Sequence, residues 1–288
     1  MRGDGLFIDW NTHLTRLKWH RLRRSMTDPE FGTIAMAEGF RLGASMELDL
    51  RLRADGGFVV LHDDRLDRET TGLGLVRHAS KAELTQLTYR QSGLPLILSE
   101  TLAQMLPAAH PAALLQFDMK DDYASIGPVG LAHLAALFGD TAAPIIFSAG
   151  CTDLIRALGQ ALPHIPRGID PTDELVDVAQ GQGLIAAEAA LIAALRNGAA
   201  PDTCYLSWEL VLAAQRQGLN LVALCHAEGV KVDAWTYTLN DPATGFSDEE
   251  AVVFHTLLSL LPDQITTDEA LATEAAWYDL MSRGNPHA

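Results

Sequence analysis

Residues 43–64 read GASMELDLRLRADGGFVVLHDD, and this stretch sets the expectations for the chain around it. Over 45–53, Met46, Leu48, Leu50 and Leu52 alternate with Ser45, Glu47, Asp49, Arg51 and Arg53, the period of a strand with two unlike faces. Asp55-Gly56-Gly57 supplies a tight turn, and 58–61 is a short apolar run ending at His62. A parallel return needs a crossover longer than this turn, so an antiparallel hairpin is expected. Folding about Gly56 puts Asp49 opposite His62, with Glu47 two residues along on the same face. Two carboxylates held side by side repel, and unless a cation lies between them one takes up a proton. A divalent metal is the simplest remedy, and oxygen ligands point to Mg²⁺ or Ca²⁺ before zinc.

Outward from the hairpin, strand-like and helix-like stretches alternate. Residues 1–13 read as a lead-in and 14–19 as a first strand ending at His20-Arg21. Asp28-Pro29-Glu30 marks a helix start, and the helical spacing continues to Leu42 and stops at Gly43. Residues 63–98 are polar and turn-rich, with one helical piece at 81–87, and read as an insertion. A helix follows from Ser99 to about Leu106, then a buried strand over 112–119 that carries Gln116, Asp118 and Lys120 at its end. Further strands are expected at 144–148, 167–170, 203–208, 231–238 and 263–268, and helices at 152–162, 184–196, 210–218, 221–228 and 248–261. Such alternation implies parallel strands covered by helices. Eight or nine strands in 288 residues, with no linker, predict an α/β fold: one TIM-type (β/α)8 barrel domain over 1–288 with a short insertion at about 63–98. A doubly wound sheet is the weaker alternative, because its glycine-rich first turn is missing.

Composition narrows the partners. Hydrophobic residues make up 48% of the chain, enough for a large core, and the net charge of −16 repels nucleic acids and anionic membranes. A small phosphate ester needs only a local positive patch, which Arg16, Lys18, Arg21, Arg23 and Arg24 supply. Cys151, Cys204 and Cys225 form no framework or zinc pattern. No signal-like or membrane-spanning apolar run occurs, so a soluble cytoplasmic protein without stable membrane insertion is expected.

In a barrel of this type, reactive groups gather at the C-terminal ends of strands. His20, Arg21, Glu47, Asp49, His62, Asp118 and Lys120 occupy four such ends. Three carboxylates hold a divalent ion, two histidines act as general base and acid, and two cations neutralise a phosphate, which is what cleaving a phosphodiester requires. Trp235 is expected in the core with one edge lining the pocket. Ser148 also ends a strand but lacks a nucleophile elbow. His78, His110, His133, His164, His226, His255 and His287 show no H-E-x-x-H spacing and are given no metal.

The order His20-Arg21, Glu47-Leu48-Asp49-Leu50, Asp55-Gly56, 59–63 (VVLHD), Leu66-Asp67-Arg68, Asp118-Met119-Lys120, Ala234-Trp235-Thr236 and Ile265-Thr266-Thr267-Asp268 resembles the glycerophosphodiester phosphodiesterases over about 14–270. The resemblance implies a barrel in which His20 and His62 carry out acid and base catalysis, Glu47, Asp49 and Asp118 bind the metal, and Arg21 and Lys120 lie near the phosphate. It also implies attack by the substrate's own glycerol hydroxyl, then opening of a cyclic phosphate by water, to give an alcohol and glycerol 3-phosphate. Related specificities are a sugar phosphodiester, or a phospholipase D-like lyase that stops at the cyclic phosphate. Departures are Leu22 for glycine, which should send the loop on another course, Phe31 for asparagine, Asp118 for glutamate, Thr238 for asparagine, and a lost proline near Ala270. They motivate a rival, a catalytically inactive anion-binding barrel.

Overall fold

The structure, a computed structural model, describes residues 3–106, 109–141 and 144–282; His287 lies outside them. Its strands are β1 (Phe7–Trp10), β2 (His13–Trp19), β3 (Ser45–Leu52), β4 (Phe58–Val60), β5 (Leu114–Met119), β6 (Ile145–Ala149), β7 (Arg167–Ile169), β8 (Thr203–Ser207), β9 (Lys231–Trp235) and β10 (Gln264–Thr267). The fold is α/β, a closed barrel of eight parallel strands surrounded by helices, to which β1 and β4 are antiparallel additions. No helix among the described residues is long and apolar enough to cross a membrane. The chain divides into two compact units, one of residues up to 20 with 24–26 and those from 168 onward, the other of 21–23 and 27–167.

In the first unit the strands are ordered β1-β2-β10-β9-β8-β7. Residues 1–13 are more than a lead-in, because β1 pairs with β2 across a two-residue turn, Trp10 facing His13. Asn11 (φ 48°) and Thr12 (φ 66°) both adopt the left-handed conformation of such turns. The signal for this turn is ordinarily Asn-Gly, and the threonine hides it. Lys18 on β2 is buried and pairs with Asp233 on β9 at 2.6 Å, while Thr266 on β10 donates to the same carboxylate at 2.7 Å. The expected strand over 231–238 ends at Trp235, after which the Tyr237 N–H turns to the Thr266 carbonyl. Helices Thr172–Gln182 and Ala270–Ser282 were not foreseen. The second of these holds Glu274, whose carboxylate accepts the N–H groups of Gly3 and Gly5 at 2.8 and 2.6 Å.

The second unit orders its strands β6-β5-β3-β4. Helix Thr33–Leu42 ends at Gly43, whose φ of 80° is the left-handed cap the glycine was expected to provide. Its start lies later than Asp28, with Gly32 as the capping residue. Glu30, expected in the first turn, instead faces Arg21 and Arg23. Helix Tyr123–Phe138 bears out the helical pattern expected around His133, but its bounds were not foreseen, since Gly127 (φ 56°) before Pro128 interrupts the pattern. Residues 61–98 contain little regular structure: the turn Val76–His78, a one-turn helix Lys81–Leu84 that stops short of residue 87, and isolated bridges such as Thr70 with Tyr89. The helix is closed by reciprocal bonds between Ser80 and Glu83.

Candidate active site

Parallel register builds the core of the site in the second unit. Asp49 on β3 lies beside Asp118 on β5, and Asp118 beside Ser148 on β6; two residues earlier, Glu47 lies beside Gln116. Adjacent strands are about 4.8 Å apart and residues two apart share a face, so these five side chains form two stacked rows. One oxygen from each of Glu47, Asp49 and Asp118 lies within 4.8 Å of the other two. Gln116 Nε2 donates to Ser148 Oγ at 2.8 Å, and Ser148 Oγ donates to Asp118 Oδ1 at 2.7 Å. Ser148 is therefore a support for Asp118, a role that the period of two on β5 and β6 could have revealed.

A cation does lie between the carboxylates, and it comes from the protein. Lys120 Nζ is 2.9 Å from Asp49 Oδ1 and 2.5 Å from Asp118 Oδ2. Burial alone would lower the lysine pKa, but the charges of Asp118, Asp49 and Glu47 outweigh it and raise it. Burial would likewise raise Asp49, yet Lys120, Arg21 and His62 hold it below the ordinary aspartate value. Glu47 is the exception: burial, then the charges of Asp49 and Asp118, push it well above the usual range. Of the three it is the member whose charged form is least favoured. The Arg21 N–H donates to Glu47 Oε2 at 2.8 Å, and the Arg21 guanidinium reaches Asp49 Oδ2 at 3.5 Å and Glu30 Oε1 at 3.1 Å.

The turn His20–Leu22 that presents this N–H is left-handed at both Arg21 (φ 50°) and Leu22 (φ 60°). Leu22 thus takes a conformation that favours glycine, at a cost of about 1–2 kcal/mol, and its fully buried side chain offsets that cost.

The hairpin register differs from expectation by one residue. Leu50 faces Val60, Arg51 faces Val59 and Leu52 faces Phe58, and the Leu61 N–H donates to the Asp49 carbonyl. The hairpin centres on Asp55, not on the Asp55-Gly56 bond, so Asp49 is opposite Leu61. His62 lies beyond β4 and is placed by the loop. Its carbonyl accepts from Arg51 Nε at 2.8 Å, and its Nδ1 is 3.0 Å from Asp63 Oδ1. Arg68 grips both oxygens of Asp63 at 2.6 and 2.7 Å, holding that carboxyl far below the usual range, and the Asp63 N–H donates to Glu69 Oε2. Arg68 belongs to the Leu66-Asp67-Arg68 motif quoted above but was given no role there, and Glu69 was not singled out from sequence.

His20 and Trp235 belong to the first unit. His20 Nδ1 is 2.8 Å from Asp268 Oδ1, and Asp268 Oδ2 accepts from Thr238 Oγ1 at 3.0 Å. Thr238 is one of the departures noted above, so the change leaves a hydrogen-bond donor there. Trp235 is half-buried, and its indole N–H has no hydrogen-bond partner among the described residues.

The acidic cluster fits a hard divalent cation. All its donors are carboxylate oxygens, and Asp49 Oδ2 is buried with no hydrogen bond among the described residues, Arg21 Nε lying 3.5 Å away. Burial, then the charges of Asp49 and Asp118, disfavour the Glu47 carboxylate, which a bound cation would favour. Known proteins agree with the geometry. A glycerophosphodiester phosphodiesterase of Bacillus subtilis is 26% identical over 228 residues, 73% of this chain and 75% of that protein. An Oleispira antarctica phosphodiesterase, solved in complex with the product sn-glycerol-3-phosphate, matches with a TM-score of 0.66 at 20% identity, over 91% of this chain and 96% of that one. A glycerophosphodiester phosphodiesterase of Thermotoga maritima matches at 0.62 and 19%, over 90% and 96%. At such identities the two structures speak for the fold alone. The model of the glycerophosphoryl diester phosphodiesterase family covers residues 29–272, and this chain, with its acidic cluster on β3 and β5, belongs to that family as a phosphoric diester hydrolase.

Proposed function

We propose that the chain hydrolyses glycerophosphodiesters to an alcohol and glycerol 3-phosphate, with Mg²⁺ or Ca²⁺ held by Glu47, Asp49 and Asp118 and with His20 and His62 as the acid–base pair. The observation that carries this reading is the convergence of three carboxylate oxygens within 4.8 Å beside Lys120 and Arg21. The cation, when bound, supplies Lewis-acid polarisation of the phosphoryl group and of a substrate hydroxyl. Lys120 and Arg21 neutralise phosphate charge, and Trp235 forms a wall for the substrate. Each imidazole has Nδ1 bonded to a carboxylate, Asp63 for His62 and Asp268 for His20. With Nδ1–H assigned as donor there, Nε2 is free to move a proton. One imidazole takes the proton of the attacking glycerol hydroxyl while the other gives a proton to the departing alcohol. The two roles then reverse as water opens the cyclic phosphate. The named activity of the Bacillus subtilis relative and the glycerol phosphate in the Oleispira antarctica protein support this choice of substrate.

Phosphorus NMR of a glycerophosphodiester incubated with the protein and Mg²⁺ or Ca²⁺ tests it. Glycerol 3-phosphate should appear, and should be lost on chelation and in His20→Ala and His62→Ala. Turnover unchanged in those variants would contradict the mechanism. A cyclic phosphate that persists would favour the lyase. Phosphate binding with no cleavage across glycerol and sugar diesters would favour the inactive barrel.

A further inference from the structure

In the first unit a second polar layer lies beneath His20. Lys18 on β2 pairs with Asp233 on β9 at 2.6 Å, and Thr266 on β10 donates to Asp233 Oδ1 at 2.7 Å. The Lys18 ammonium also stands 4.5 Å from the centre of the Tyr205 ring on β8. In the strand order β2-β10-β9-β8, Lys18 thus reaches a carboxylate two strands away and a ring three strands away. Such reach is possible only across the concave face of the sheet, so these side chains point into the barrel, where all four are buried.

Strand geometry joins this layer to the proposed acid–base site. Residues two apart share a face and lie about 7 Å apart along a strand. One such step leads from Lys18 to His20, from Asp233 to Trp235 and from Thr266 to Asp268. Lys18 lies beside Thr266 in register, and one step on, His20 Nδ1 is 2.8 Å from Asp268 Oδ1. These are successive inward rungs between β2 and β10, and Asp233 of β9 binds both side chains of the lower one.

An ion pair is a poor filling for such a layer where stability alone is needed. Barrel interiors are ordinarily filled by branched apolar side chains. A buried pair gains little over an apolar filling of similar volume, because desolvation offsets the attraction, but it fixes direction as apolar contacts do not. The upper rung is where direction matters. β2 ends at Trp19 and β10 at Thr267, so His20 and Asp268 both stand just beyond the last paired residues. We propose that Lys18, Asp233 and Thr266 are positioning residues for His20. Their cross-link holds the ends of β2, β9 and β10 so that Asp268 keeps the imidazole proton on Nδ1 and leaves Nε2 aimed at the substrate. The proposal rests on the reading of His20 as a proton-transfer group and adds to it the residues that aim it.

The test replaces the pair by apolar residues, Lys18→Met/Asp233→Leu, which leaves no buried charge uncompensated. Imidazole nitrogen NMR shifts report the tautomer, with the His20 signals assigned by their loss in His20→Ala. Wild-type His20 should be held as the Nδ1–H tautomer. In the double variant, with its urea midpoint retained, His20 should move toward Nε2–H, the form neutral imidazole prefers in water, while the His62 signals stay in place. Its kcat on a glycerophosphodiester should fall at least about tenfold with KM unchanged, a misplacement of about 1 Å being worth about 10²-fold. A pair that serves stability alone would move neither reading once the fold is intact. A wild-type His20 not held as Nδ1–H, or a folded double variant with unchanged tautomer and kcat, overturns the proposal. Should the double variant not fold, Thr266→Val decides by the same two readings, since it keeps the ion pair and removes only the tie to β10: a smaller shift in the same direction supports the proposal, and no shift overturns it. If the wild type cleaves no diester, the hydrolase reading fails, and the tautomer alone judges the cross-link.

Discussion

The carboxylate cluster and the His62 imidazole lie in one compact unit but are held by different means. Glu47, Asp49 and Asp118 are placed by strand register, in which every neighbour is set by backbone bonds along β3, β5 and β6. His62 has left the ladder and is held by side chains: Arg51 of β3 on its carbonyl and, from the irregular loop, Asp63 on its ring and Arg68 on Asp63. In the proposed mechanism, the frame of backbone bonds would position the ligands of a small, geometrically demanding ion, and the chain of side chains would aim the proton-transfer group independently. The two regions should therefore fail differently when perturbed.

The largest effect is expected at the loop-held group itself. His62→Ala should lower kcat by about 10³-fold, within the usual range for losing a general acid or base, with metal binding retained; steady-state kinetics with a metal titration checks both. Next comes the support of the strand-held cluster. Ser148→Ala removes the donor to Asp118 Oδ1 and should weaken activation by divalent metal about 10–100-fold, while Ser148→Thr, which keeps the hydroxyl, restores it. Cutting the loop's own support should cost less: Arg68→Ala frees Asp63 and should reduce kcat about tenfold and shift its pH profile, leaving the metal dependence in place.

The smallest effect on catalysis is expected at the turn end of the hairpin, where Arg53 binds Asp55, Glu100 and the Phe58 carbonyl. Burial tends to raise both carboxyls, but their hydrogen bonds to Arg53 outweigh it and hold them below ordinary values. Their folded pKa values are thus lower than their unfolded ones. The stability they contribute is present above the unfolded value of about 4 and is lost as pH falls through the folded values. Arg53→Ala should destabilise the protein by about 2 kcal/mol at neutral pH, kept modest because the partners meet solvent. It should also flatten the loss of stability between about pH 5 and pH 2, as read from urea midpoints.

What could be read from the sequence follows the same division. Alternation on β3, the buried run of β5 and the glycine cap at Gly43 have periods that survive in any context, so barrel, strands and carboxylate cluster were all legible. The hairpin was legible too, but its register was not. Asp55-Gly56-Gly57 admits a centre on Asp55 as readily as one between residues, and the turn bond from the Arg53 N–H to the Gly57 carbonyl selects the first. The Asn11-Thr12 turn was hidden because threonine is unusual in the left-handed conformation, and the bounds of the helix around His133 were hidden because Gly127-Pro128 interrupts its pattern. Asp268 and Arg68 fall in motifs quoted from the sequence, but their partners, like that of Glu69, are distant in sequence or across irregular loop, where no period shows what they hold.

The central claim is that strand register makes Glu47, Asp49 and Asp118 one cation site. Calorimetric titration of chelator-stripped protein with Mg²⁺ or Ca²⁺ tests it without reference to any substrate. The account predicts a single saturable site in the wild-type protein that disappears in Asp49→Asn. A wild-type protein that binds neither ion, or an Asp49→Asn variant that binds as tightly as the wild type, would contradict it.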